Sequence, residues 1–146
     1  MAYEFKLTRR VEFHETDLAG IVHFSNFFRY MEMVEHAFFR SLGLSINETV
    51  PAAPGEALIG WPRVHAECDY KRPLKFEDEF EMQLRVLEVK TKSVVYEIVF
   101  RKQSEEIARG KIVAACVTKT ADGKGMQAVP IPKRILDKIQ AVPSSP

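Results

Sequence analysis

Cysteine is scarce in this chain. There are two, Cys68 and Cys116, and neither sits in a metal-type or redox-type spacing. That excludes a disulfide scaffold and a thiolate metal cage, and it makes a reducing compartment the default. No run of 18 apolar residues occurs, and the opening Met-Ala-Tyr-Glu-Phe-Lys lacks the apolar stretch of a secretory signal. No membrane insertion is expected, and the location expected is cytoplasmic. An excess of one charge is also missing: 21 Lys and Arg face 20 Asp and Glu, a net charge of +1. The electrostatic footprint of a nucleic-acid partner is therefore absent. The four histidines, His14, His23, His36 and His65, make no H-x-x-x-H pattern, and there is no G-x-S-x-G elbow or glycine-rich phosphate loop. No metal site is expected, and serine-hydrolase and nucleotide-triphosphate chemistry are disfavoured. What is present is 46% apolar side chains over 146 residues, enough for one packed core.

Residues 3–13 alternate Phe5, Leu7, Val11 and Phe13 with Glu4, Lys6, Thr8, Arg10 and Glu12, the period of a half-buried strand. The pattern breaks over 14–20, where short polar residues and Gly20 predict a loop. Residues 22–42 predict a long helix closed by Gly43. Its aromatic residues, Phe24, Phe27, Phe28, Tyr30, Phe38 and Phe39, place it at the centre of the core. Its polar residues Ser25, Arg29, Glu32, His36 and Arg40 fall on one stripe. A connection bearing prolines and glycines covers 45–60, and strands are predicted over 63–70, 79–86, 94–100 and 107–118. A short helix at about 132–142 and a tail at 143–146 close the chain. The order of a strand, a long helix and four closely connected strands predicts an α+β fold, a single domain over 1–146 with an antiparallel sheet around one helix.

The densest reactive cluster, His14, Glu15, Asp17 and His23, lies in the loop before that helix. The first turn of a helix presents unpaired N–H groups and the positive end of the macrodipole, so an anion forming there is stabilised. Asp17, with Gly20 permitting close backbone approach, could attack an electrophilic carbonyl or deprotonate water beside it, the oxyanion pointing at the helix. The competing reading is that Asp17 caps a turn. Glu15 is read as an exposed carboxylate near enough in sequence to raise the pKa of Asp17. Glu32 and His36, spaced by four, read as a structural ion pair or a subunit contact.

Residues 15–32, Glu-Thr-Asp-Leu-Ala-Gly-Ile-Val-His-Phe-Ser-Asn-Phe-Phe-Arg-Tyr-Met-Glu, resemble the active-site segment of hotdog-fold acyl-CoA thioesterases. The nearest likeness is to the 4-hydroxybenzoyl-CoA thioesterase family, at Asp17, Gly20, Ile21, Val22, Asn26, Phe27, Phe28 and Tyr30. The resemblance implies the hotdog fold, a sheet of five or six antiparallel strands wrapped around a long central helix, and hydrolysis of an acyl-CoA thioester to a free acid. It implies Asp17 as the catalytic carboxylate, the Phe24 backbone N–H as the group that polarises the thioester carbonyl, and Gly20 and Val22 as substrate-binding positions. It suggests Lys90 and Lys92 for the coenzyme A phosphates, with Lys71-Arg72 a second basic pair. Coenzyme A is then part of the substrate and no separate cofactor is needed. A homodimer or homotetramer is implied, because single hotdog units place their sites between subunits.

One departure concerns His23-Phe24, which stands where the related Tol-Pal-associated thioesterases have Tyr-His. A shift of one residue rotates a helical side chain by about 100°, so His23 reads equally as a catalytic neighbour and as a hydrogen-bonded residue at the helix start. Asp17 as nucleophile, through a mixed anhydride, and Asp17 as base both remain open. The alternatives are a hotdog enoyl-CoA hydratase or dehydratase, whose Gly-Asp-x-Asn-Pro run is missing here, and a non-catalytic acyl-CoA-binding domain, against which the full motif around Asp17 argues.

Overall fold

The computed structural model describes residues 1–144. Strand β1 (Glu4–Arg10) leads through a 3-10 turn at Phe13–Glu15 into helix α1 (Asn26–Ser41). There follow β2 (Arg63–Tyr70), β3 (Glu79–Val89), β4 (Ser93–Lys102), β5 (Glu105–Ala115), the short strands β6 (Val117–Lys119) and β7 (Met126–Ala128), and α2 (Lys133–Leu136). The main sheet has the order β1-β3-β4-β5-β2, every pairing antiparallel, and β6 and β7 form a separate ribbon. This is the α+β hotdog arrangement that the resemblance implies.

Alternation sets the register. On β3 and β4 the pairs Met82 with Phe100, Leu84 with Ile98 and Val86 with Tyr96 put one apolar face inward. A slip of one residue would turn that whole set to solvent. Against this face lies α1, whose Phe27, Tyr30, Met31, Val34 and Phe38 recur at three- and four-residue spacing and are buried. The stripe Arg29, Glu32, Met33 and Arg40 is exposed, and His36 Nε2 lies 3.6 Å from Glu32 Oε1, the spacing of the ion pair that is one of the two readings. Glu35, which the stripe does not include, is fully buried and ion-pairs with Arg63 at the start of β2. Arg63 in turn donates from Nη1 to the Trp61 carbonyl at 2.7 Å.

Several boundaries differ from expectation. The first strand ends at Arg10, because the chain leaves the sheet after Val11, and Phe13 is exposed. Helix α1 starts four residues late: Val22 pairs with Thr16 and donates its N–H to the Leu74 carbonyl at 2.8 Å, so it belongs to a loop bridge. On β2, Val64, Ala66 and Tyr70 are exposed although they alternate with polar residues, because β2 is an edge strand. The predicted last strand splits at Cys116, after which Val117–Lys119 pairs with the unpredicted Met126–Ala128. The terminal helix is four residues long. Beyond it Ile139 bridges to Ala2 and Val142 donates to the Val86 carbonyl, so backbone partners in the sheet replace the helix. Of the predicted tail, 145–146 lie outside the described residues.

The Met31 side chain of α1 packs directly over Gly110 of β5. A Cβ there would run into the Met31 thioether and stand 3.1 Å from the Glu67 carbonyl oxygen. Met31 is flexible, but the β2 backbone is not. Gly110→Ala is expected to lower stability by about 1–3 kcal/mol, read as a reduced urea midpoint with an unchanged slope.

Candidate active site

Asp17 heads a tight reversal. Its N–H donates to the Ile21 carbonyl and Gly20 N–H donates to the Asp17 carbonyl, both at 2.9 Å. Gly20 sits at φ +80°, a left-handed conformation that suits glycine. Asp17 Oδ1 accepts the Ala19 N–H at 2.9 Å and the Ile21 N–H at 3.4 Å. These bonds are those of the turn-capping reading: one oxygen organises the turn, and Oδ2 has no partner among the described residues. Pairings of Thr16 with Val22 and of Ile21 with Lys75 pin the reversal to the chain ahead of β3.

From that pin the chain climbs into α1 through a dense set of bonds. His23 N–H donates to the Glu15 carbonyl at 2.9 Å, and Asn26 Nδ2 donates to the same oxygen at 2.8 Å. Ser25 N–H donates to His23 Nδ1 at 3.2 Å, Asn26 N–H to the His23 carbonyl at 2.9 Å, Phe27 N–H to the Phe24 carbonyl at 3.4 Å and Phe28 N–H to the Ser25 carbonyl at 3.3 Å. Between His23 and Phe28 the Phe24 N–H is the one donor with no acceptor among the described residues. It stands beside the positive end of α1.

Asp17, Val22 and Phe24 line one cavity of ≈ 420 Å³, together with Ile21, Phe27, Tyr70 and the segment from Lys71 to Leu74. Gly20 shapes the turn beneath it and is not on the wall. His23 is not on the wall either: its ring stacks on Phe24 with centroids 4.5 Å apart, and the Ser25 hydroxyl lies 2.8 Å from its Nδ1. It is the hydrogen-bonded residue at the helix start that the competing reading describes. Lys90 and Lys92 lie at the β3–β4 connection and do not line this cavity, and Lys90 Nζ is 3.8 Å from Glu88. The basic pair on the wall is Lys71 and Arg72, which are also paired with Glu106 and Glu105. Tyr70, at the end of β2, was not singled out in the sequence for this site. Forty-six residues separate it from Phe24, and no local pattern links them.

A larger depression of ≈ 1050 Å³ lies over the outside of β1, β3 and β4 and is lined mainly by ionic side chains. Neither Asp17 nor a residue of α1 lines it, whereas the smaller cavity has Asp17, Phe24 and Phe27 on its wall. Among the described residues no cluster of three or more His, Cys, Asp or Glu side chains could hold a metal ion.

Glu15 corrects the sequence reading. It is buried, 5% exposed, with Arg9 Nη1 donating to its Oε2 at 2.5 Å and the Glu12 N–H to its Oε1 at 2.8 Å. Burial pushes its carboxyl up, but the Glu12 N–H, the Arg9 guanidinium and the neighbouring Tyr30 hydroxyl outweigh that and hold it below its ordinary value. The Tyr30 hydroxyl is buried without a partner in hydrogen-bond geometry. Burial and the adjacent Glu15 charge push that phenol up, so it stays protonated. Arg9 lies 4.9 Å from the centre of the Tyr30 ring, a cation–π contact. With its charge matched by Arg9, Glu15 supports the loop and does not face Asp17 as a lone anion.

Residues 11–139 match the family model described as the thioesterase-like superfamily. The chain is similar to a 1,4-dihydroxy-2-naphthoyl-CoA hydrolase of Prochlorococcus marinus (strain NATL2A), at 30% identity over 109 residues, 73% of this chain and 70% of the other. It is similar to the solved structure of a gentisyl-coenzyme A thioesterase, at 31% identity and TM-score 0.75, covering 92% of this chain and 98% of that one. The 4-hydroxybenzoyl-CoA thioesterase of Pseudomonas sp. strain CBS-3 shares the fold at 20% identity and TM-score 0.81, over 93% and 99% of the two chains.

The buried Arg9–Glu15 pair makes stability depend on pH. A carboxyl held low in the folded state contributes fully above its unfolded value near 4.5 and loses that contribution as pH falls through the lowered folded value. Glu15→Gln is expected to cost about 3 kcal/mol at neutral pH, the low end for a broken buried pair because Arg9 keeps some contact with water. Urea midpoints measured from pH 7 to pH 3 should fall less steeply below pH 4.5 in the variant than in the parent.

Proposed function

The chain belongs to the thioesterase-like superfamily and hydrolyses an acyl-CoA thioester, and we propose that Asp17 and the Phe24 N–H carry that reaction on an aromatic acyl group. The thioester carbonyl oxygen takes the position in front of the Phe24 N–H, where the oxyanion of the tetrahedral intermediate gains a hydrogen bond and the field of α1. Asp17 Oδ2 then acts on the carbonyl carbon, or on a water beside it. As nucleophile it forms a mixed anhydride that water cleaves; as base it takes a proton from the attacking water. Coenzyme A leaves as a thiolate that requires little protonation at neutral pH, so a single carboxylate suffices. The observation that carries this reading is that Asp17 and Phe24, whose N–H has no acceptor among the described residues, line the same cavity.

The choice of acyl group rests on the wall and on the relatives. Ile21, Val22 and Leu74 give an apolar floor, and the rings of Phe24, Phe27 and Tyr70 give flat surfaces for an aromatic ring. The two relatives of 30% and 31% identity are named for gentisyl and dihydroxynaphthoyl thioesters, both aromatic. Lys71 and Arg72 on the wall supply positive charge for the coenzyme A phosphates, with Lys90 and Lys92 as further candidates. The two cysteines are unpaired, which fits action in the reducing cytoplasm that the sequence suggests.

The assembly proposed is a homodimer, itself able to pair into a tetramer. Its support is the free edge of β2 and the exposed apolar side chains, Leu18, Phe24 and Tyr70 at the site and Val64 at the other end of β2. An unpaired strand edge and an apolar patch of this kind call for a partner, and a second copy satisfies both through a two-fold contact.

Asp17→Asn is expected to lower kcat for aromatic acyl-CoA esters by about 10²- to 10⁴-fold, the range for loss of a proton-transfer group, measured by trapping released thiol. Unchanged thiol release would remove Asp17 from the mechanism. Sedimentation of the active protein should give at least a dimer, and a fully active monomer would contradict the proposed assembly.

A further inference from the structure

We propose that Tyr70 is a positioning residue for the oxyanion site, its hydroxyl fixing the Phe24 peptide so that the neighbouring N–H meets the substrate carbonyl. This rests on the reading of the Phe24 N–H as the oxyanion donor. Tyr70 Oη donates to the Phe24 carbonyl oxygen at 3.0 Å. The other bond to that oxygen, from Phe27 N–H, is long at 3.4 Å. The Phe24 side chain is exposed and gives its own backbone little support. Residue 24 is thus held on one flank by the His23 N–H bond to Glu15 and on the other by Tyr70, with the free N–H between them.

Tyr70 is itself well anchored. It pairs with Ala108 at the end of β2, and both following N–H groups, of Lys71 and Arg72, donate to the Ile107 carbonyl at 2.9 and 3.1 Å. Its ring meets Phe27 edge-on at 5.2 Å, and Phe27 is a buried residue of α1. The hydroxyl therefore ties a strand to the turn just ahead of the helix. Burial, then the neighbouring Cys68, push the phenol up, so it is a donor throughout the neutral range. The hydroxyl donates to the carbonyl of residue 24, on the peptide after the reacting N–H. It acts on geometry and leaves the polarity of the N–H unchanged.

Tyr70→Phe removes the hydroxyl and keeps the ring on Phe27 at a half-exposed site, so the variant folds. Loss of one such hydrogen bond is expected to lower kcat about three- to tenfold while KM changes by less than about twofold, because the contact matters where charge develops on the carbonyl. A spectroscopic arm reads the same contact directly. Benzoyl-CoA bound to Asp17→Asn protein should show its thioester carbonyl band moved to lower frequency than in water, and adding Tyr70→Phe should reverse part of that movement. A Tyr70→Phe variant with parental kcat, or one that raises KM alone, overturns the inference, as does a carbonyl band indifferent to the hydroxyl. Failure of the underlying reading looks different: the band of bound benzoyl-CoA would not move at all in Asp17→Asn protein, with or without Tyr70.

Discussion

The carbonyl oxygen of Glu15 accepts two hydrogen bonds, from the His23 N–H and from the Asn26 side chain, and the site depends on that junction. It joins the chain leaving β1 to the chain entering α1. Asp17 follows it by two residues on one side, and Phe24 stands between its two donors on the other. A carboxylate and a backbone donor can cooperate only if they are held to within about half an ångström of working geometry. Here the distance between them is set by one oxygen atom and a five-residue turn.

The junction could not sit on an ordinary loop. Beneath it the Glu15 side chain is buried against Arg9 and Tyr30, a charge taken out of water and matched on the spot. Such a pair adds little net stability compared with an apolar filling, since desolvation offsets most of the attraction. What it does is exclude alternatives, because any arrangement that separates Glu15 from Arg9 strands a buried charge. Glu35 with Arg63 has the same character farther along α1, tying the helix to the start of β2. The helix is thus fixed to β1 near its first turn and to β2 near its middle, and apolar packing fills the space between.

How far the sequence could be read follows from where each signal lies. Strands β3, β4 and β5 were legible because alternation or a run of β-branched residues marks most of their ten or eleven residues. Asp17 and Phe24 could be singled out because the motif that names them is contiguous, and both stand on the wall of one cavity. The backbone placement of Val22 was not: Ile21 and Val22 continue the apolar run of the helix, yet their backbone partners include Leu74 and Lys75, some fifty residues away. Glu15 and Glu35 look like surface carboxylates until Arg9 and Arg63 are brought to them. Val64 and Tyr70 keep the period of a buried strand although β2 is at the edge, because periodicity reports which face a side chain takes and not what covers that face.

That last ambiguity bears on why the site is where it is. An exposed apolar face on an edge strand is a liability in a monomer, and most proteins blunt it with charge or proline. Here the strand carries the polar side chains His65, Glu67 and Asp69 between Val64 and Tyr70, which stand near its two ends. Tyr70 is also a wall of the cavity and a hydrogen-bond donor to the turn ahead of α1. The residue that a partner would cover is therefore one that the cavity uses. A half-open cavity of ≈ 420 Å³ is small for an acyl chain with its coenzyme A arm. A second copy laid along β2 would deepen it at the Tyr70 side without disturbing the Glu15 junction on the other. The two requirements, a closed pocket and a covered strand edge, are then met by a single contact.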